Sequence, residues 1–101
     1  MILNIIKALS DDNSELTVAL EGRLDTLTSP QLDEELESSI DGVKHLIFDL
    51  KDLTYISSAG LRVFLKYQTA MKKNGMALKN VRKGIMSVLN ITGFNKFLNI
   101  E

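Results

Sequence analysis

The run Lys44-His45-Leu46-Ile47-Phe48-Asp49-Leu50 constrains the fold more than any other stretch of this chain. It is short and apolar, has no polar alternation, and lies between two segments with helical spacing. An apolar run without alternation is expected of a strand covered on both faces. Strands separated by helices join through right-handed crossovers and lie parallel to one another.

The flanking segments agree with such an architecture. In "SELTVALEG", Leu16, Val18 and Leu20 alternate with Glu15, Thr17, Ala19 and Glu21, which predicts a half-buried strand ended by Gly22. The apolar residues 2 to 9 precede it across the turn "DDNS", so residues 2 to 20 read as a hairpin. "TSPQLDEELESSIDG" predicts a helix. Ser29 would be its N-cap, Pro30 its first residue and Gly42 its C-cap, with Leu32, Leu36 and Ile40 as the buried stripe. Asp33, Glu34 and Glu35 would lie near its start, where the helix dipole favours negative charge. "KDLTYIS" reads as a loop ending in a brief extended piece. Residues 58 to 73 predict a second helix, with Gly60, Val63, Phe64, Tyr67, Ala70 and Met71 on one face and Arg62, Lys66, Thr69 and Lys73 on the other. "MALKN" supplies a strand, "RKGIMSVLNITG" a third helix with Ile85, Val88 and Leu89 inward, and "KFLNIE" a last short strand or frayed end. The expected order is β-β-α-β-α-β-α-β: an α/β domain spanning residues 1–101, with a mixed sheet of about four to five strands and helices packed beside it.

Several function classes are excluded by what the chain contains. With 12 Lys and Arg against 13 Asp and Glu, the formal net charge is −1, and the basic residues are scattered. Binding to nucleic acid or to an acidic membrane surface needs a clustered positive field, which is missing here. There is no cysteine and one histidine, so neither a thiolate nor a multi-histidine metal site can form. No apolar run has the length to cross a bilayer, and the N-terminal one is interrupted by Asn4 and Lys7, so Met1 reads as a true start. At 101 residues there is room for one modest core and little for a deep catalytic cleft.

The pair Ser57-Ser58, between the strand-like "TYI" and the second helix, invites a chemical reading. A hydrolase nucleophile elbow needs Gly-x-Ser-x-Gly, because the turn is too tight for side chains beside the serine. Gly60 fits, but Ile56 stands where the first glycine belongs, and the one candidate base, His45, precedes the serines. The glycines of a phosphate-binding loop or a dinucleotide fold are absent too. From local chemistry either serine can cap the helix, a contribution of about 1 kcal/mol. Asp49, ending an apolar strand, is expected to accept loop N–H groups. Asp25 reads either as a polar contact near that loop or as an ordinary Asx-turn residue. Arg62 and Lys66 are expected to be solvated, and Met76 and Met86 to fill core or rim.

"FDLKDLTYISSAGLRVFLKYQ" resembles the signature of the STAS domain, in particular of bacterial anti-sigma factor antagonists. "EGRLDTLTSPQL" resembles the family's Gly-x-Leu-Asp motif, matched by Gly22, Leu24 and Asp25, and "ALKNVRKGIMSVLNITGFNKFLNI" resembles its ending. The resemblance implies a cytoplasmic binding module rather than an enzyme, with no cofactor. In this family the unmodified form binds an anti-sigma factor that is also a serine kinase. The kinase releases itself by phosphorylating the helix-start serine, and a metal-dependent (PP2C-type) phosphatase reverses the mark. By that resemblance Ser58 is the phosphoacceptor, with Ser57 as the alternative. The partner-binding surface would comprise Asp25, Ser57, Ser58, Ala59, Gly60, Leu61 and Arg62. One departure is that Ser57 stands where the family usually has aspartate. The resemblance also admits another role, a STAS subunit regulating a membrane transport assembly.

Overall fold

The computed structural model describes residues 2–101. Leu16, Val18 and Leu20 point into the core from strand β2, which spans Glu15–Leu24. Strand β1, Leu3–Leu9, pairs antiparallel with it, from Leu3 opposite Gly22 to Leu9 opposite Leu16, as the hairpin reading expects. The turn is held by Asp12, whose Oδ1 accepts from the Ser10 hydroxyl (2.8 Å), the Ser14 hydroxyl (2.8 Å) and the Ser14 N–H (3.1 Å).

Gly22 does not end β2. The strand continues through it at φ +111°, where a Cβ would lie 2.6 Å from the Ile2 carbonyl oxygen. Only glycine fits both that backbone and that approach.

Helix α1, Ser29–Ser39, buries Leu32 and Leu36, with Ile40 partly buried just past its end. Its cap is Thr28 rather than Ser29, and Pro30 is the second helical residue. Ser29 instead donates its hydroxyl to the Asp25 carbonyl at 2.6 Å. The first turn carries no acidic residue, so the expected dipole effect gives way to a tertiary contact. Asp33 accepts from Lys66 Nζ (2.9 Å) and from the Tyr67 hydroxyl (2.7 Å), both on the second helix.

Strand β3, His45–Ile56, runs parallel to β2 and is longer than expected. Residues 51 to 56, read as a loop ending in a brief extended piece, continue the strand. Two register shifts, between Ala19 and Glu21 and between Gly22 and Arg23, each add one residue on the β3 side. The buried positions therefore change from Leu46, Phe48, Leu50 to Leu50, Leu53, Ile56, a spacing of three that does not read as a strand. Nor is β3 covered on both faces: Leu46 and Phe48 are fully buried, while Ile47 and Asp49 are half-exposed.

Helix α2, Ser58–Met71, follows, then strand β4, Met76–Lys79, parallel to β3. On α2, Ala70 is exposed, against the helical-face reading, and Gln68, which that reading placed on neither face, is buried. Helix α3, Lys83–Thr92, buries Ile85 and Leu89 and ends at Gly93. The expected last strand is a single rung, Leu78 with Ile100. The sheet order β1-β2-β3-β4, with every crossover moving the same way, puts the helices on one face. The other face, with Ile6, Thr17, Ala19, Ile47 and Asp49, stays open to varying degrees.

These contacts set an acid limit on stability. Hydrogen bonds from Ser14 and Ser10 lower the Asp12 carboxyl from 3.8 to about 2. For Asp33, burial works against ionisation, but the bonds from Tyr67 and Lys66 outweigh it and hold the carboxyl below its usual range. Groups that ionise more readily when folded contribute above the unfolded pKa, and that contribution fades as the pH falls through the folded one. The melting temperature should therefore hold down to about pH 5 and decline from about pH 4 toward pH 2. A melting temperature that stays constant to pH 2.5 or so in a pH series would contradict these assignments.

Candidate functional site

The ends of β2 and β3 and the start of α2 converge at the two serines. The Ser57 N–H donates to the Leu24 carbonyl at 2.9 Å, tying the junction to the end of β2. Ser57 is extended (φ −100°, ψ 173°), and its Oγ accepts from the Gly60 N–H at 3.4 Å. It is thus the N-cap of α2. Ser58 is the first helical residue and exposed, and its hydroxyl has no hydrogen-bond partner among the described residues. The two neighbouring hydroxyls therefore differ: one is engaged in capping and the other faces solvent.

The next two positions fix where Ser58 sits. Gly60 is buried, and a Cβ there would meet Leu24 Cγ at 2.7 Å and Ile56 Cγ1 at 3.0 Å. Leu61 plugs the core below at 1% exposure. Together they draw the helix start down onto the strand ends, leaving Ser58, half-buried Ala59 and exposed Arg62 on the surface.

Asp25 organises the adjacent loop. Its Oδ1 accepts from the N–H groups of Leu27 and Thr28, both at 3.0 Å, forming an Asx-type turn. The Thr28 N–H in particular holds the carboxyl below its usual range. The other oxygen lies 3.9 Å from Arg23 Nε, and the Arg23 guanidinium sits 4.0 Å over the Tyr55 ring. Between this loop and α2 runs a shallow groove of about 330 Å³, with Thr26, Pro30, Ala59, Arg62 and Lys66 in its walls. Leu27, 87% exposed, stands on the same loop. The residue reading missed Leu27 and the Arg23–Tyr55 pair. An apolar residue between two threonines in a turn was the one available signal.

Lys66 is not freely solvated. Its ammonium binds Asp33 at 2.9 Å and Glu37 at 2.8 Å, which raises its pKa, and it staples α2 to α1. Arg62 forms no ion pair among the described residues and is the groove's unengaged cation. Asp49 accepts from the Lys51 N–H (3.1 Å), which belongs to β3 rather than to the expected loop, and from Asn80 Nδ2 (3.0 Å). Met76 is core and Met86 partly buried.

His45 opens β3 and the serines follow its far end. At about 3.3 Å per residue, the strand keeps the imidazole some 35 Å or so from Ser58, too far to act as its base. Among the described residues no cluster of three or more His, Asp or Glu could hold a metal ion, and no helix is long and apolar enough to cross a membrane.

Comparison with known proteins gives a consistent result. The anti-sigma-B factor antagonist of Bacillus subtilis (strain 168) is 29% identical over 101 residues, covering 98% of this chain and 93% of that one. An anti-sigma factor antagonist from Mycobacterium paratuberculosis superposes with a TM-score of 0.84 at 19% identity, over 97% of this chain and 84% of that one. The Bacillus anti-sigma factor antagonist SpoIIAA superposes with a TM-score of 0.81 in its unphosphorylated form, covering 97% of this chain and 88% of that one. Its phosphorylated form gives 0.73, over 97% and 91%, both at 16% identity. At these identities the structural matches establish the fold. Residues 5–101 match the family model described as STAS domain, and the chain belongs to that family.

Proposed function

We propose that this chain is an anti-sigma factor antagonist, residues 1–101 acting as one binding module whose partner is released when Ser58 is phosphorylated. The observation that carries this reading is the exposed Ser58 hydroxyl, unengaged at the first position of α2, beside a neighbour that does the capping. The relatives' names support the antagonist role, and the existence of SpoIIAA in both phosphorylation states supports the switch. The partner in this reading is an anti-sigma factor with ATP-dependent serine kinase activity. A PP2C-type phosphatase resets the mark, and the exchange takes place in the cytoplasm. The docking face comprises Asp25, Ser57, Ser58, Ala59, Gly60, Leu61 and Arg62. Ser58 and Arg62 make direct contact, while Asp25, Ser57, Gly60 and Leu61 hold the surface in shape.

Serine at 57 in place of the family's aspartate keeps the capping role, since a hydroxyl accepts the helix N–H as a carboxylate would. It removes one negative charge from the kinase's target. Incubation with the cognate kinase and ATP, followed by peptide mass spectrometry, should place one phosphate on Ser58. Ser57→Ala should still be labelled, and Ser58→Ala should not. Wild-type protein that stays unlabelled at Ser58 would defeat the proposal.

A further inference from the structure

The two edges of the sheet are treated differently. At β4 the chain covers its own edge: the Leu78 N–H donates to the Asn99 carbonyl at 2.8 Å, and the Glu101 N–H donates to the Leu78 carbonyl at 2.9 Å. Among the described residues, no strand pairs with the outer edge of β1. Exposed edges are normally blunted by proline, bulges or projecting charges, because they offer a template to another strand. β1 has no proline, and its register with β2 runs unbroken from Leu3 to Leu9. Its one charge, Lys7, is turned under the sheet, with Nζ 2.6 Å from Glu35 Oε1 and 2.8 Å from Ser39 Oγ on α1. Exposed apolar side chains lie along the same segment: Ile2 at 71%, Ile6 at 51% and Leu9 at 50%.

We propose that this edge pairs antiparallel with the same edge of a second copy of the chain, joining two sheets into one. The register follows from the hairpin. The Ser10 N–H donates to the Glu15 carbonyl, so that pair is of the hydrogen-bonded kind, and the kinds alternate along an antiparallel ladder. Asn4, Ile6 and Ala8 therefore bond toward β2, while Leu3, Ile5, Lys7 and Leu9 turn their N–H and C=O groups outward. A two-fold axis at Ile6 then satisfies every outward group, because Leu3 meets Leu9 and Ile5 meets Lys7, each reciprocally. It sets Ile6 against its own copy, about 4.5 Å apart at Cα, on the open face of the sheet. Centring on Lys7 would oppose two lysines, and centring on Ile5 would leave Leu9 without a partner among the described residues. The occupant is a second copy because this one strand complements itself without opposing like charges.

In this dimer both helical layers share one face, and the two Ser58 ends point away from each other, so pairing leaves each docking face accessible. Sedimentation of the full chain from micromolar to near-millimolar concentration should show a monomer–dimer equilibrium. Ile6→Lys sets two cations face to face and should weaken dimerisation by about tenfold or more without changing the circular dichroism. Mixing Ile6→Lys with Ile6→Glu should restore association. A wild-type chain that remains monomeric throughout, an Ile6→Lys chain that dimerises like wild type, or a lysine–glutamate mixture that stays monomeric would each overturn the proposal.

Discussion

Phosphorylating Ser58 should lower affinity for the anti-sigma partner by about a thousandfold, leaving the fold intact. A phosphoserine adds about −1.5 to −2 charges and three acceptor oxygens. An acidic group of the partner about 4 Å away would cost roughly 4 kcal/mol per unit charge at an effective dielectric of about 20. That is close to a thousandfold in a dissociation constant. Drying the dianion in a packed interface adds to the penalty in the same direction. Within the chain the charge is well placed, because α2 has no acidic residue in its first turn and the helix start favours an anion. Isothermal calorimetry with phosphorylated and unmodified protein would measure the ratio, and a melt of each would show the fold unaffected. Ser58→Asp should weaken binding in the same direction, and Ser58→Ala should bind constitutively. A phosphorylated protein that binds within about threefold of the unmodified one would remove the switch.

The second large effect is on the core that carries the site. Phe64 of α2 is fully buried and lies against Phe48 of β3, with ring centroids 4.9 Å apart and planes tilted by 55°. Phe64→Ala removes this contact and leaves a cavity at the interface between helix and sheet, at a cost of about 3–5 kcal/mol. That is a large share of the roughly 5–15 kcal/mol available to a domain. The melting temperature should fall by roughly 15–30 °C. Urea unfolding would measure the loss directly, and a change below about 1 kcal/mol would mean the pair is not the centre of the core.

Much of the fold is legible along the chain. The alternation of Leu16, Val18 and Leu20, and the four-residue spacing of Leu32 and Leu36, mark the buried faces that the structure shows. The illegible parts have physical causes. Residues 51 to 56 hide a strand because two extra residues change its period from two to three. Ile47 completes an apolar run, yet it faces the open side of the sheet. Local sequence does not reveal a one-sided layer set by the direction of the two crossovers between parallel strands. The cap of α1 shifts from Ser29 to Thr28 because the Ser29 hydroxyl is taken by the Asp25 carbonyl and the Leu32 N–H already donates to the Thr28 carbonyl. Asp33 finds its partners 33 and 34 residues away, where spacing along one helix gives no clue. At the site, the serine pair was visible, but which hydroxyl caps depends on the Ser57 dihedral angles.

The staple from Asp33 to Lys66 and Tyr67 has a consequence for timing. Lys66 and Tyr67 pin α2 to Asp33 and Glu37 of α1 about two turns beyond Ser58, which opposes a shift of one helix against the other when charge is added there. A switch of the proposed kind would keep no memory of earlier states, its output following the fraction marked at that moment. In the proposed switch the set-point would be the ratio of the two enzymatic rates, and relaxation toward it would run at their sum.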